Sequence, residues 1–403
     1  MNHTNINMQN SERKCSLAKK EFYLYEFLTS NIGLWALQKD NMNRTFRIFY
    51  ATVQMLVAIL ATVAGFLIGC GNTEEYLDCY LMVVFGVLVL SKIYYAYTYR
   101  HHLRYILNSA FRDWKYIRKK DEVKIMMNSS RFCNNMAAMF YISGMISLIS
   151  YVLKTMIFDD PRKIIVIDSL NITYKYGHSF ILPGGCVYDG VNQYLYYFIL
   201  INQCVQMTIM CFTNLGNDTM YAAITGHICV QFDILIKRMK KFGQFKNDIT
   251  VNSHELGNIV KRHQHLISLT ENLEKVYNRI IFVQMLITVS VLSVGGVSLI
   301  LSINSNNMMN IIKSAGVMNF MLFESYLYTY PADNLANRAE LMLRAIYSSC
   351  WYKMPQSITK NLILVMMRIN LPPFLTCGKF FFMTRRSYMD VIKTAARIYQ
   401  YYE

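Results

Sequence analysis

The chain has 403 residues, of which 54% are hydrophobic and 16% charged, and its net charge is +16. Soluble domains carry about 25% charged residues, so the deficit excludes an ordinary water-soluble domain and places much of the chain against lipid. The excess of base fits a nucleic-acid partner or a membrane surface, and where the bases fall decides between them.

The segment up to Phe22 is polar and mixed in charge, without the apolar centre of a signal peptide. Residues 1–45 are expected to form a cytoplasmic N-terminal region. Six apolar stretches then reach the roughly 20 residues that cross a bilayer: Phe46–Cys70, Tyr80–Tyr97, Met136–Phe158, Tyr194–Phe212, Ile280–Ile303 and Met308–Tyr330. Lys and Arg crowd the alternate connections, with Arg100, Arg104, Arg112, Lys115, Arg118, Lys119 and Lys120 in the second and Lys237, Arg238, Lys240 and Lys241 in the fourth. The first connection, GNTEEYLD, has no base and the fifth, SINSNN, no charge. Bases stay on the cytoplasmic side of a membrane, so the N-terminus is expected inside and the short loops outside. No basic stripe with interleaved aromatics suggests a nucleic-acid partner.

Within 46–330, residues 213–279 are expected as helical extensions of the fourth and fifth spans into the cytoplasm. Ile224, Ile228, Phe232, Leu235 and Met239 recur three or four apart, as do Leu256, Ile259, Leu266, Leu269, Leu273 and Val276. Residues 331–383 form a cytoplasmic anchor region. There the apolar run Leu362–Met383 is interrupted by Arg368, Pro372–Pro373 and Gly378–Lys379. A lipid-exposed helix cannot carry such breaks, because its freed backbone groups would lack partners. The run therefore splits into an amphipathic cytoplasmic helix over Ser357–Arg368, a turn over Asn370–Gly378, and a closing helix from near Ser387 within residues 384–403. Ser387 and Asp390 have capping-box spacing. The closing helix carries Arg386, Asp390, Lys393, Arg397 and Gln400 on one side and Val391, Ala395, Ile398 and Tyr402 on the other. A wet-sided crossing helix facing an aqueous path has this pattern, as does a cytoplasmic amphipathic tail.

Signs of catalysis are absent. There is no G-x-S-x-G, H-E-x-x-H or P-loop, and neither the ten cysteines nor the eight histidines have metal-ligand spacing. No enzyme activity, metal or cofactor is expected. Cys70 and Cys79 flank one short loop and Cys186 lies in another, so these three are the disulfide candidates. Gly184–Gly185 reads as a turn. Glu324 stands alone in the sixth span: either it is a functional charge, or it lies near the cytoplasmic end, in water or beside a base. No buried ionisable cluster of the kind a transporter needs is expected. The sequon at Asn171 falls in the long third connection and is a glycosylation candidate.

The outer halves of spans two, three, four and six are rich in aromatic, Met and small polar residues. A cavity walled by Met82, Phe85, Gly86, Val89, Ser143, Ile146, Ser147, Tyr151, Phe198, Ile201, Asn202, Val205, Gly316, Val317 and Phe320 would suit a small apolar ligand. Each of these residues also fits simple packing.

The stretches AIYSSCWYKMP (Ala345–Pro355) and LVMMRINLPPFLTCGKFFFMTRRSYMDVIKT (Leu364–Thr394) resemble the C-terminal region of the insect odorant receptors. The resemblance rests on a Tyr347–Trp351 spacing, an Arg368-to-Pro372 turn, the Gly378–Lys379–Phe380 step and the closing helix. It implies an all-α integral membrane protein with seven transmembrane helices, a cytoplasmic N-terminus and an extracellular C-terminus. It also implies an odorant- or pheromone-gated non-selective cation channel, a heterotetramer of tuning subunit and co-receptor in a sensory-neuron membrane. The closing helix, with Asp390, Lys393, Thr394, Arg397, Gln400 and Tyr401, would line the pore. Tyr347, Trp351, Arg368, Pro372, Gly378 and Lys379 would belong to the subunit anchor. One departure is Ala395-Ala396-Arg397, which places a base where the family often has Ser-Tyr-Ser. A gustatory receptor channel and a G-protein-coupled receptor are the alternatives. The second needs an external N-terminus, against the charge distribution, and the first a closing-helix pattern absent from Thr384–Glu403.

Overall fold

The computed structural model describes residues 19, 21–69, 73–117, 119–153, 162–168, 171–177, 180–188, 191–242, 249–306, 308–349, 351–370 and 373–400. Cys70, Pro372 and Tyr401 lie outside these residues, as do the side chains of Tyr151, Asn171 and Gln400.

The architecture is helical. A helix over residues 21–32 (α1) precedes α2 (Met42–Ile68), α3 (Thr73–Thr98), α4 (Arg100–Tyr116) and α5 (Lys120–Leu153). Then come α6 (Gln193–Lys241), α7 (Ile249–Asn304), α8 (Met308–Tyr347), α9 (Gln356–Ile369) and α10 (Arg385–Gln400). Among the described residues α2, α3, α5, α6 and α7 are long and apolar enough to cross a membrane. The expected sixth span lies in α8, which is not among them; it carries Lys313, Ser314, Asn319, Glu324 and Ser325.

α6 and α7 are unbroken over 49 and 56 residues, so each expected span and its amphipathic extension form one rod. Their extensions, with α1, α4, α8 and α9, enclose the main core around Trp114, Phe232, Leu266, Leu273, Tyr277 and Leu335. A smaller core joins α2, α3 and α6 through Met55, Val89 and Ile93. Another joins α3, α7, α8 and α10 through Leu88, Val291, Met321 and Ala395.

The third connection contains an antiparallel hairpin that periodicity had not indicated, β1 (Arg162–Asp168) against β2 (Asn171–Gly177). Its continuation is a plug. Phe180, Ile181 and Leu182 are buried, and the Ile181 and Leu182 amides donate to Gln203 Oε1 at 3.0 and 3.3 Å. Gly184 is more than a turn residue. It has φ 87°, and a Cβ on Gly65 of α2 would lie 2.5 Å from its Cα, so the plug and α2 touch backbone to backbone. Cys186, in the 3-10 turn Gly185–Tyr188, is disulfide-bonded, whereas Cys79 remains a buried thiol.

Candidate functional site

Of the fifteen cavity candidates, the fourteen whose side chains are described do not wall a single cavity. Met82 and Gly86 of α3 meet Met55 and Ile59 of α2, Gln206, Met207 and Met210 of α6, and Leu182 of the plug around a void of about 10 Å³, room for one water. A Cβ on Gly86 would lie 2.6 Å from Ile59 Cγ1, so the glycine sets this close approach. Val89 is buried in the α2–α3–α6 core. Phe85 and Val317 pack across α3, α7 and α8, and Phe320 stacks on Phe140 of α5 at 5.3 Å. Asn202 and Val205 are half-buried, and Val205 lines an open groove against Tyr50 and Ala51. Ser143, Ile146, Ser147, Phe198, Ile201 and Gly316 point out of the bundle, Phe198 at 69% exposure. Helical spacing places Ile146 and Phe198 on the outer faces of α5 and α6, and no periodicity count could have told an outer apolar face from a lining one.

Beneath Phe85 and Val317 lies a cluster that sequence reasoning missed. Lys92 Nζ of α3 donates to Asp218 Oδ1 of α6 at 2.7 Å and to Glu324 Oε1 of α8 at 2.9 Å, all three side chains fully buried. Tyr328 donates its hydroxyl to the same Asp218 oxygen, and Tyr221 donates to the Tyr328 carbonyl at 3.0 Å. This corrects the expectation of no buried ionisable cluster. Glu324 has both partner and burial, and the base beside it is Lys92. The signal was a lone lysine inside the apolar run LMVVFGVLVLSKIYY, since an ionisable group in a span demands a partner.

The broken segment resolves into a latch. After α9, β3 (Thr376–Cys377) pairs with β4 (Phe381–Phe382) across a turn in which Gly378 and Lys379 have φ of 59° and 63°. α7 grips this hairpin. Glu274 Oε2 accepts the Thr376 amide at 2.9 Å, the Asn278 carbonyl accepts the Gly378 amide at 3.2 Å, and Asn278 Nδ2 donates to the Thr376 hydroxyl at 2.6 Å. A Cβ on Gly378 would lie 2.7 Å from Phe282 of α7, so glycine is required by space as well as by φ. Of the anchor candidates, Trp351 packs on the main core, while Tyr347 and Arg368 are exposed from the protomer.

α10 begins at Arg385 rather than near Ser387. The capping pair is Thr384 with Ser387, not Ser387 with Asp390: the Thr384 amide donates to Ser387 Oγ at 2.8 Å and the Ser387 amide to Thr384 Oγ1 at 3.3 Å. The helix buries Val391 and Ala395, packs against α7 and α8, and leaves Asp390, Lys393, Thr394 and Arg397 exposed.

Outside the apolar spans, Asp113 of α4 meets Arg262 at 2.7 Å and His227 at 3.2 Å. Burial alone would raise its carboxyl, but these two groups hold it below the usual carboxylate range. His263 of α7 is buried edge-on to Phe232; desolvation, with Arg368 nearby, lowers its imidazole to about 4.

The family model described as 7tm odorant receptor matches residues 72–396. Two Drosophila melanogaster proteins align with part of the chain: Odorant receptor 94a, 23% identical over 48% of this chain and 50% of its own length, and Odorant receptor 46a isoform A, 22% identical over 43% and 46%. The alignments thus span about half the length of those relatives. The fold is similar to that of the insect olfactory receptor OR5 from Machilis hrabei in complex with eugenol, with a TM-score of 0.76 at 12% identity over 96% of this chain and 98% of that one. A second solved structure of OR5 from Machilis hrabei gives a TM-score of 0.70 at 13% identity, covering 94% of this chain and 97% of that one. The fold is that of a multi-pass membrane protein, and the match across most of its length means that the chain belongs to the 7tm odorant receptor family.

Proposed function

We propose that this chain is the odorant-binding subunit of a ligand-gated, non-selective cation channel, working in a heterotetramer with a co-receptor in a sensory-neuron membrane. The observation that carries the reading is the two-faced α10. Val391 and Ala395 fix it to the bundle, while Asp390, Lys393, Thr394 and Arg397 are exposed on its other side. A polar helix face in a membrane protein belongs beside water, and four such helices around an axis would enclose a path for ions. Seven crossings, with α8 and α10 completing the apolar five, leave the N-terminus and the latch in the cytoplasm and the C-terminus outside. Tyr347, Arg368 and Lys379 then lie where neighbouring subunits meet.

The ligand is a small apolar volatile, as the neighbour solved with eugenol supports. It binds where Phe85, Val317 and Phe320 meet between α3 and α8, a site that opens on binding. Arg397, a base on the face given to cations, makes this subunit dependent on its partner for conduction.

The test is current recording from cells expressing this chain with and without a co-receptor, against a panel of volatile and cuticular apolar compounds. Odorant-evoked cation current only on co-expression is expected. Current from this chain alone would remove the role given to Arg397. A tag on the N-terminus accessible from outside intact cells would overturn the topology and the channel reading together.

A further inference from the structure

α3 and α8 are bridged twice by ion pairs of opposite sense. Asp78 of α3 meets Lys313 of α8, each side chain a quarter exposed. Further along both helices, Lys92 of α3 meets Glu324 of α8 with no exposure at all. The acid lies on α3 at one level and on α8 at the other. At ~1.5 Å per residue the levels are roughly 16–21 Å apart along the helices, and Phe85, Val317 and Phe320 lie between them.

The α3 and α8 backbones do not pack closely. Each lies against α7, and the long charged side chains reach across. α6 and α8 are tied independently of α3, through Tyr328 on Asp218 and Tyr221 on the Tyr328 carbonyl. At the inner level α3 joins that pair through Lys92, bound to Asp218 and Glu324 together.

We propose that the two bridges form a reciprocal clamp that fixes the register of α3 on α8 and opposes the separation that admits a ligand beside Phe85, Val317 and Phe320. The ligand part rests on the channel reading above. A slide of one helical turn parts Lys92 from Glu324, because the α8 residues one turn away are Phe320, Met321, Leu327 and Tyr328, whereas Lys313 moved toward the start of α3 comes level with Glu75; the inner bridge thus sets the register and the outer one reinforces it. The fully buried inner bridge is the stiff one, since parting it strands charge in a dry interior. The outer bridge is partly hydrated and adjustable. A ligand that favours the parted state must work against both, so weakening either raises the population of that state without ligand.

The test compares D78K, which sets two bases face to face, with the swap D78K/K313D, which restores attraction with the signs exchanged. In cells co-expressing the co-receptor, at matched surface density, D78K should raise the odorant-free current about two- to fivefold, the range of an exposed ion pair, and the swap should return it to the wild-type level. E324Q, which keeps the Lys92–Asp218 pair, should move it in the same direction. The clamp is overturned if D78K and E324Q leave the odorant-free current unchanged, or if the swap fails to reverse D78K. Should the wild-type chain carry no current at all, the channel reading fails. Melting of the purified proteins then decides the clamp alone: a lower melting temperature in D78K restored by the swap supports it, and equal values for all three overturn it.

Discussion

The two halves of α6 bury very different shares of their residues. Between Gln193 and Phe212 few side chains are buried, and two of them are Gln203 and Gln206, while Tyr194, Phe198 and Ile201 face outward. From Thr213 to Met239 most are buried, and they include Ile224, Ile228, Phe232, Leu235 and Met239. One continuous helix thus passes from an inside-out region, with apolar residues outward and amides inward, to a region built like a soluble core. Lipid offers no hydrophobic drive between helices, so the upper half is held by small residues, plug contacts and hydrogen bonds. The lower half is held by burial.

Substitutions that distinguish the halves test this contrast most sharply. Leu273→Ala, fully buried in the lower core, should cost about 3 kcal/mol, whereas Leu60→Ala, 67% exposed on α2, should cost almost nothing. Thermal unfolding in one detergent checks both, and equal losses would end the distinction. Gly378→Ala should cost about 1–3 kcal/mol by forcing a side chain into φ 59° against Phe282, read as a lower melting temperature and protease cleavage between α9 and α10. Acid should weaken the lower half through His263. His263 prefers to be neutral in the fold, so its contribution is complete above the unfolded value of 6.5 and is lost as pH falls toward about 4. Stability should drop on the order of 1 kcal/mol by pH 5, and His263→Leu should flatten that part of the pH curve. Gln206→Leu removes the 3.2 Å bond to Gln54 Oε1, and its cost should be under about 1 kcal/mol. A larger loss would mean that amides inside the upper half contribute more than the inside-out picture allows.

Much of the lower half was legible in the sequence. Leucines and isoleucines at three- and four-residue spacing gave α6 and α7 their continuous course, and Leu362, Met366 and Ile369 set the buried face of α9. Capping chemistry was visible too, although the box begins three residues earlier, at Thr384. The upper half was harder to read, because an apolar residue there satisfies lipid and protein equally; Val89 and Ile146 look alike in sequence and face opposite ways. The Lys92–Asp218–Glu324 cluster was hidden for a different reason. Its members are 126 and 232 residues from Lys92 in the chain, and no local spacing connects them. Lys92 itself was the clue, since an unexplained cation in a span requires an anion somewhere.

The length of α7 has a mechanical consequence. Its 56 residues make a spar of about 84 Å without a hinge; it touches α3 and α8 toward one end and α4 and α9 toward the other, and the β3–β4 latch grips it near the middle, at Glu274, Asn278 and Phe282. Rocking such a spar by about 5° around its midpoint swings each tip by roughly 4 Å in opposite directions. A displacement of α3 or α8 small enough to admit one volatile molecule would therefore arrive at the far end as a movement of comparable size, with no relay of side chains needed in between.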